Sequence, residues 1–139
     1  MNRLVGPFIM ATAVLHAGVA LALFPTPLAA ILHDGVFGAI HPPAGAIEPQ
    51  LDRFAAFLFL LYAPVLFMLG QITNRAVERG EARILKVIGY NLLVGGALFA
   101  AIIPISGGWL LIGLAMLSLN VARRVEASPA SLAYQAGTS

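Results

Sequence analysis

The chain of 139 residues contains no cysteine and very little charge. Without cysteine there are no disulfides, thiolate zinc sites or iron–sulfur clusters, and a quinone-linked thiol oxidoreductase is excluded. Only 10% of the residues are Asp, Glu, Lys or Arg, against about a quarter in a soluble domain. Because 60% of the residues are hydrophobic, the composition is that of an integral membrane protein.

Most of the chain lies in four apolar stretches, each near the roughly 20 residues that a helix needs to cross a bilayer. They run over 4–24, 54–72, 85–104 and 105–121. The first is longer than the apolar region of a secretory signal, so it is interpreted as a membrane helix. We therefore predict an all-α four-transmembrane-helix bundle over residues 1–124, followed by a mobile cytoplasmic tail over 125–139.

Basic residues are missing from the long first loop, residues 25–51, and only Arg53 lies close to it. The other basic residues lie at the start of the first stretch, between the second and third stretches, and after the fourth: Arg3, Arg75, Arg79, Arg83, Lys86, Arg123 and Arg124. By the positive-inside rule this predicts a multi-pass protein of the bacterial cytoplasmic (inner) membrane with both termini cytoplasmic. The basic residues border membrane segments instead of forming a patch, so the lipid bilayer is the expected partner and nucleic acid is not.

The first loop carries the signals of a short amphipathic helix over about 27–34. Thr26 followed by Pro27 is typical of a helix start, and Gly35 is typical of a helix end. Three apolar residues are expected on one face of this helix: Leu28, Ile31 and Leu32. The segment is therefore expected to lie on the outer membrane face, before Pro49 opens the second membrane helix.

His16 lies near the middle of the first membrane helix, with Thr12 one turn before it. An ionisable residue at that depth usually faces a partner, a cavity or the protein interior. A neutral imidazole bonded to Thr12, to Asn91 or to a second-helix carbonyl near Pro64 is one interpretation; a proton relay, general acid–base or ligand role is the other. No cofactor is predicted, since ligation of haem or another metal by His16 alone has no second residue to support it.

Other polar or small residues in the membrane segments favour packing roles. Asn91 is of the type that bridges helices, and Pro64 predicts a kink in the second membrane helix. The pairs Gly96–Ala100 and Ala13–Ala17 allow close helix approach. The short connection after Pro104 predicts an antiparallel hairpin of the last two membrane helices, with its tip at the outer interface.

Acids and one arginine gather near the predicted outer end of the second membrane helix. Arg53 is expected to pair with Asp34 or Asp52, preferably Asp34. Either this is an ordinary solvated interface, or it is a polar lid over a hydrophobic cavity. The candidate catalytic residues are His16, Asp34 and Arg53; the candidate ligand-binding residues are Thr12, Asp52, Asn91, Ser106 and Trp109.

Several of these residues occur in an ordered set of short motifs. The set comprises His16, then Pro-x-Pro-Leu-x-x-Ile-x-x-Asp-Gly from Pro25, Asp-Arg-x-x-Ala-Phe from Asp52, and Pro-x-Ser-Gly-x-Trp ending at Trp109. Over roughly residues 3–122 the chain resembles an uncharacterised bacterial family of small four-helix membrane proteins without an established activity. The resemblance implies no substrate, and it singles out the motif residues for testing: His16, Asp34, Gly35, Asp52, Arg53, Ser106 and Trp109.

Three classes of function fit these observations. The first is the binding or isomerisation of an isoprenoid-, quinone- or sterol-like molecule in an intramembrane cavity capped by the first loop, with His16 as acid–base. The second is an accessory subunit that packs on a larger membrane complex. The third is a small oligomeric transporter coupled to protonation of His16, although the long structured first loop argues against it. Whether a reaction is catalysed and whether the chain forms a homo-oligomer stay open.

Overall fold

A computed structural model describes residues 4–36, 40, 51–104 and 106–127. This part of the chain is all-α and contains five helices and no strand. They are α1 (Val5–Leu23), α2 (Pro25–His33), α3 (Leu51–Arg79), α4 (Ala82–Ile102) and α5 (Gly108–Glu126). All but α2 are long and apolar enough to span a membrane, which confirms the four predicted segments. The chain is therefore a multi-pass membrane protein.

The apolar surface of these helices is directed largely outward. In the spanning windows of the four long helices, only 22–39% of the residues are buried inside the protein. A water-soluble protein rarely exposes apolar patches of such extent, whereas lipid tails solvate them well. The exposed surface thus supports the same conclusion as the helix lengths.

The helices differ from the predicted apolar stretches at several ends, most of all at the end of α3. α3 continues to Arg79 instead of ending at residue 72, and its 29 residues span about 43 Å. The prediction placed the helix end where the apolar residues stop, because they mark the extent of the lipid. The backbone hydrogen bonds of α3 continue beyond that point. α5 likewise runs two residues into the predicted tail, to Glu126. Pro49 and residues 128–139 lie outside the described residues, and α3 passes through Pro64 without interruption.

The chain divides into two compact units, residues 1–10 with 68–139, and residues 11–67. In the first unit, α4 and α5 form the predicted antiparallel hairpin. Gly96 lies so close to α5 that a Cβ atom there would be 2.8 Å from the carbonyl oxygen of Gly108. The small-residue face at Gly96 and Ala100 therefore packs inside the hairpin.

The start of α1 packs equally closely on the second half of α3, within the same unit. A Cβ atom at Gly6 would lie 2.7 Å from the carbonyl oxygen of Gly70. A Cβ atom at Gly70 would lie 2.6 Å from Cγ of Met10. These two glycines thus allow the backbones to approach in a way that no larger residue permits.

The hairpin also brings charged residues of the first unit to one end. Lys86, one turn into α4, donates to Glu126 at the end of α5 over 2.6 Å. The short turn before α4 contains Gly80, whose φ of +68° is the left-handed conformation that glycine tolerates. We call this end of the first unit the basic end, and it comprises Arg75, Arg79, Arg83, Lys86, Arg123 and Arg124.

In the second unit, α2 packs on the first half of α3. Leu28 and Ile31 are buried against Ala56, with Phe24 and Leu60 beside them. The predicted short helix is therefore confirmed, although its expected apolar face is only partly correct. Leu32 is 72% exposed and points away from this contact.

The start of α2 is also different from the prediction. The helix begins at Pro25 instead of Pro27, and Thr26 makes no cap because the N-cap residue is Phe24. Phe24 donates its N–H to Ala20, and its carbonyl accepts from Leu28, so one residue joins α1 to α2. Proline fits the first helical position because it has no N–H to leave unpaired, and Pro25 fulfils that condition. The predicted end is correct, since Gly35 has a φ of +86°.

Candidate functional site

His16 points from α1 towards α3 and bonds to its backbone. Its Nε2 lies 2.9 Å from the carbonyl oxygen of Phe59, and because a carbonyl can only accept, Nε2 donates the hydrogen. The imidazole also stacks on the Phe59 ring, with centroids 4.2 Å apart and planes 21° apart. The prediction that His16 faces protein is confirmed, and its partner is the α3 carbonyl near Pro64 that the packing interpretation expected; a cavity beside the imidazole stays a prediction.

Three aromatic residues surround this contact, and we call them with His16 the aromatic cluster. The Tyr62 ring lies 5.6 Å from the imidazole, and the Phe24 ring lies 5.5 Å from that of Phe59. None of these three residues stands out in the sequence. Phe59 and Tyr62 are three residues apart and so share one face of α3, but the many aromatics of this helix conceal that signal.

The hydrogen bond to Phe59 determines what the imidazole can do chemically. In the neutral ring one nitrogen donates and the other accepts, so commitment of Nε2–H to a carbonyl leaves Nδ1 as the acceptor. An acceptor nitrogen in an apolar, aromatic setting can receive a hydrogen bond from a hydroxyl group or take up its proton. It can also do neither, and then the histidine serves only to join α1 to α3.

The predicted pairing of Arg53 with Asp34 is confirmed. Arg53 Nη1 donates to Asp34 Oδ2 over 2.7 Å. The arginine side chain is only 18% exposed, whereas that of Asp34 is 45% exposed. The ion pair therefore connects the first turn of α3 to the end of α2.

His33 adds a second contact to the same carboxylate, at 3.0 Å from Nδ1 to Asp34 Oδ1. Adjacent side chains diverge on a helix, but Asp34 is the C-cap and lies just beyond α2, so its side chain can meet that of His33. The hydrogen bond from His33, followed by that from Arg53, lowers the pKa of Asp34 below its ordinary value. We call these three residues the polar latch.

The other two candidates of this unit are less engaged with these groups. Asp52 is exposed in the first turn of α3, where a carboxylate complements the helix dipole. Thr12 is half-buried one turn before His16. The hydrogen bond of His16 runs to Phe59, so the predicted alternative of a bond to Thr12 is not the arrangement observed.

The remaining candidates lie in the other compact unit. Asn91 is exposed and donates to the Val87 carbonyl of its own helix over 2.8 Å, so this bond does not bridge helices as predicted. Ser106 Oγ lies 3.3 Å from the Phe99 carbonyl oxygen and accepts from the N–H of Gly108. Trp109 donates to the Pro104 carbonyl over 2.9 Å. These two residues thus shape the α4–α5 turn.

Within the described part of the chain, no three His, Asp or Glu side chains gather as a metal site would require. Neither the curated proteins nor the solved structures contain a match to this chain. One family model does match, and it extends over residues 1–125. The chain therefore belongs to DUF6463, a family of unknown function.

Proposed function

We propose that this protein binds a hydrophobic small molecule, isoprenoid-, quinone- or sterol-like, in an intramembrane cavity capped by α2. The observation that carries the proposal is the hydrogen bond from His16 Nε2 to the Phe59 carbonyl, because it leaves Nδ1 with no hydrogen-bond partner among the described residues. It holds the imidazole in one tautomer, with Nδ1 as an acceptor, at a depth where a titratable residue is expensive to maintain. A ligand hydroxyl or carbonyl-adjacent proton is the natural partner for that nitrogen.

The polar latch supports an amphipathic ligand. Arg53 precedes Phe59 by six residues, so the two lie about 9 Å apart along α3. Ala56 lies between them and carries the α2 contact at Leu28 and Ile31. A molecule with a polar group near Arg53 and an apolar body along the aromatic cluster would match this spacing, and α2 would move to admit it.

Catalysis would add one step to binding. His16 Nδ1 would take a proton from an allylic C–H, whose electron pair forms the new double bond, and the same proton would return to the far carbon of the old double bond; this isomerisation needs no cofactor. Asp34 and Arg53 would hold the polar end of the substrate while this occurs. A binding protein would use the same contacts without turnover, and the proposal covers both cases.

The accessory-subunit alternative keeps less support. Such a subunit would present a small-residue face to its partner, and the Gly96–Ala100 pair is a candidate by sequence. Because Gly96 packs against Gly108 within the hairpin, this pair is not available to a partner. The transporter alternative still depends on the titration of His16.

We propose further that both termini and the α3–α4 turn face the cytoplasm of a bacterial inner membrane. The basic end gathers six of the eight basic residues beside that turn and the end of α5. The start of α1 belongs to the same end, because Gly6 contacts Gly70 and Asn74 near the end of α3. Positive charge concentrated at one end determines orientation during insertion.

Mass spectrometry of the lipid extract from purified protein tests the binding proposal. We expect one defined apolar molecule at near-stoichiometric amount, above the background of bulk phospholipid. A control extract from the folded Phe59→Ala, Tyr62→Ala double variant should contain much less of it. An extract that holds only bulk lipid would contradict the proposal and favour an accessory subunit.

Cysteine labelling tests the orientation cleanly, since the natural chain has no cysteine. Single-cysteine variants at Ser131 and Ala44 are treated in intact cells with a membrane-impermeant maleimide. Ala44→Cys is expected to react and Ser131→Cys to stay protected until the cells are lysed. Reaction of both from the same side would refute the topology.

A further inference from the structure

The basic end contains more positive charge than the described acidic residues neutralise. Three acidic residues lie there, and each has a partner: Glu78 accepts from Asn74, Glu81 lies 3.8 Å from Arg79, and Glu126 accepts from Lys86. Four arginines have no ion-pair partner among the described residues, and all are exposed: Arg75, Arg83, Arg123 and Arg124.

Two of these arginines share one flank of the α4–α5 hairpin. Arg83 precedes Lys86 by three residues, and Arg123 precedes Glu126 by three. Residues three apart are neighbours on a helix surface, and Lys86 and Glu126 are in direct contact. Arg83 therefore lies one turn nearer the helix ends than this pair and Arg123 one turn farther from them, both on the flank of the hairpin that carries the pair.

Helix geometry indicates how deep in the bilayer this flank of the hairpin lies. α4 and α5 are spanning helices, and both arginines lie within their terminal turns. Long basic side chains at such positions extend into the headgroup region. Arginine is the preferred partner of phosphate there, because its planar fork donates two parallel hydrogen bonds.

We propose that Arg83 and Arg123 form a binding site for the phosphate headgroup of an anionic phospholipid in the adjacent leaflet. The Lys86–Glu126 pair contributes by holding the ends of α4 and α5 together, so that Arg83 and Arg123 keep their spacing. Arg75 and Arg124 add to the local positive potential. The site is independent of His16 and of any ligand in residues 11–67.

Native mass spectrometry of the full-length protein in detergent tests this proposal with defined lipids. Phosphatidylglycerol is expected to be retained in clear preference to phosphatidylcholine of the same acyl chains. In the Arg83→Gln, Arg123→Gln variant the preference should fall by about thirtyfold, as two juxtamembrane basic residues contribute. Equal binding of both lipids by the wild-type protein would overturn the proposal.

Two controls test whether the preference depends on these two positions and on charge. Arg79→Gln removes one charge from the same end but not from the flank, and it should leave most of the preference intact. In the unaltered protein, a rise in ammonium acetate from 0.05 M to 0.5 M should reduce the preference, since exposed charges are screened. An unchanged preference in the folded double variant, or in high salt, would contradict the proposal.

Discussion

Gly96 offers the sharpest test of the packing, because its neighbour Gly95 provides a matched control. At Gly96 a Cβ atom would meet the Gly108 carbonyl at 2.8 Å, and the backbone nitrogen and Cγ1 of Ile112 at 3.0 Å. At Gly95 nothing lies within 4 Å of the same position. The same Gly→Ala substitution therefore adds a methyl group to open space at Gly95 and against closely packed atoms of α5 at Gly96.

Two free-energy terms, helix propensity and overpacking, determine the stabilities of the two variants. Alanine in a helix interior is favoured over glycine by about 1 kcal/mol, and both variants gain this term. Ordinary contact begins at 3.4 Å, so at Gly96 the helices would have to separate locally by about half an ångström. Since two of the three opposing atoms belong to backbone, this overpacking costs about 1–3 kcal/mol. Gly96→Ala should therefore be less stable than Gly95→Ala by that amount.

Reversible unfolding in mixed micelles at increasing mole fractions of SDS measures the difference directly. The order of unfolding midpoints is expected to be Gly95→Ala at or above wild type, with Gly96→Ala lowest. Gly113→Ala, also without a neighbour within 4 Å, repeats the control on α5. Equal stability of Gly95→Ala and Gly96→Ala would refute the close packing of α4 on α5.

Other predictions concern the polar latch. Arg53→Ala should lower the thermal midpoint by a few degrees and increase proteolysis near α2, whereas Arg79→Ala should change neither, because its pair at 3.8 Å is largely exposed. An unchanged thermal midpoint and unchanged proteolysis in Arg53→Ala would show that the polar latch does not stabilise this part of the protein. Because the pKa of Asp34 is lowered in the folded protein, its ionisation favours the folded state above pH 4 or so, and this contribution is lost as the pH falls further. Acid titration of wild type against Asp34→Asn, followed by α2 proteolysis, should therefore show an acid-induced release only in the wild type.

The fold was largely predictable because the membrane imposes it. Apolar segments of spanning length allow little other than helices, since unpaired backbone groups cannot be left in lipid. Gly35 and the nearby prolines were sufficient for α2, and the scarcity of partners for Arg53 predicted its bond to Asp34. The start of α2 was misplaced because Pro25 and Pro27 both fit a first helical turn, and only tertiary packing distinguishes them.

The candidate site was predictable only in part. The depth of His16 follows from residue counting, but its partner on α3 depends on how the helices rotate, which apolarity does not reveal. The close contact of Gly6 with Gly70 was missed because isolated glycines in a membrane helix have no partner spacing to mark them. Asn91 was misjudged since a polar side chain can bond to its own preceding turn instead of another helix.

The central claim is that the acceptor nitrogen of His16 contacts a ligand, and the amount of ligand retained by His16 variants tests it. The measurement is the ratio of copurified molecule to protein in wild type, His16→Gln and His16→Leu, each confirmed as folded. Glutamine keeps a donor for Phe59 and an acceptor, so it should retain the ligand, although it cannot take up a proton. Leucine offers neither, and the ratio should fall by about tenfold or more, as for a buried hydrogen bond left unmade. A folded His16→Leu protein that retains the ligand at the wild-type ratio would contradict the account and leave His16 as a residue that only joins α1 to α3.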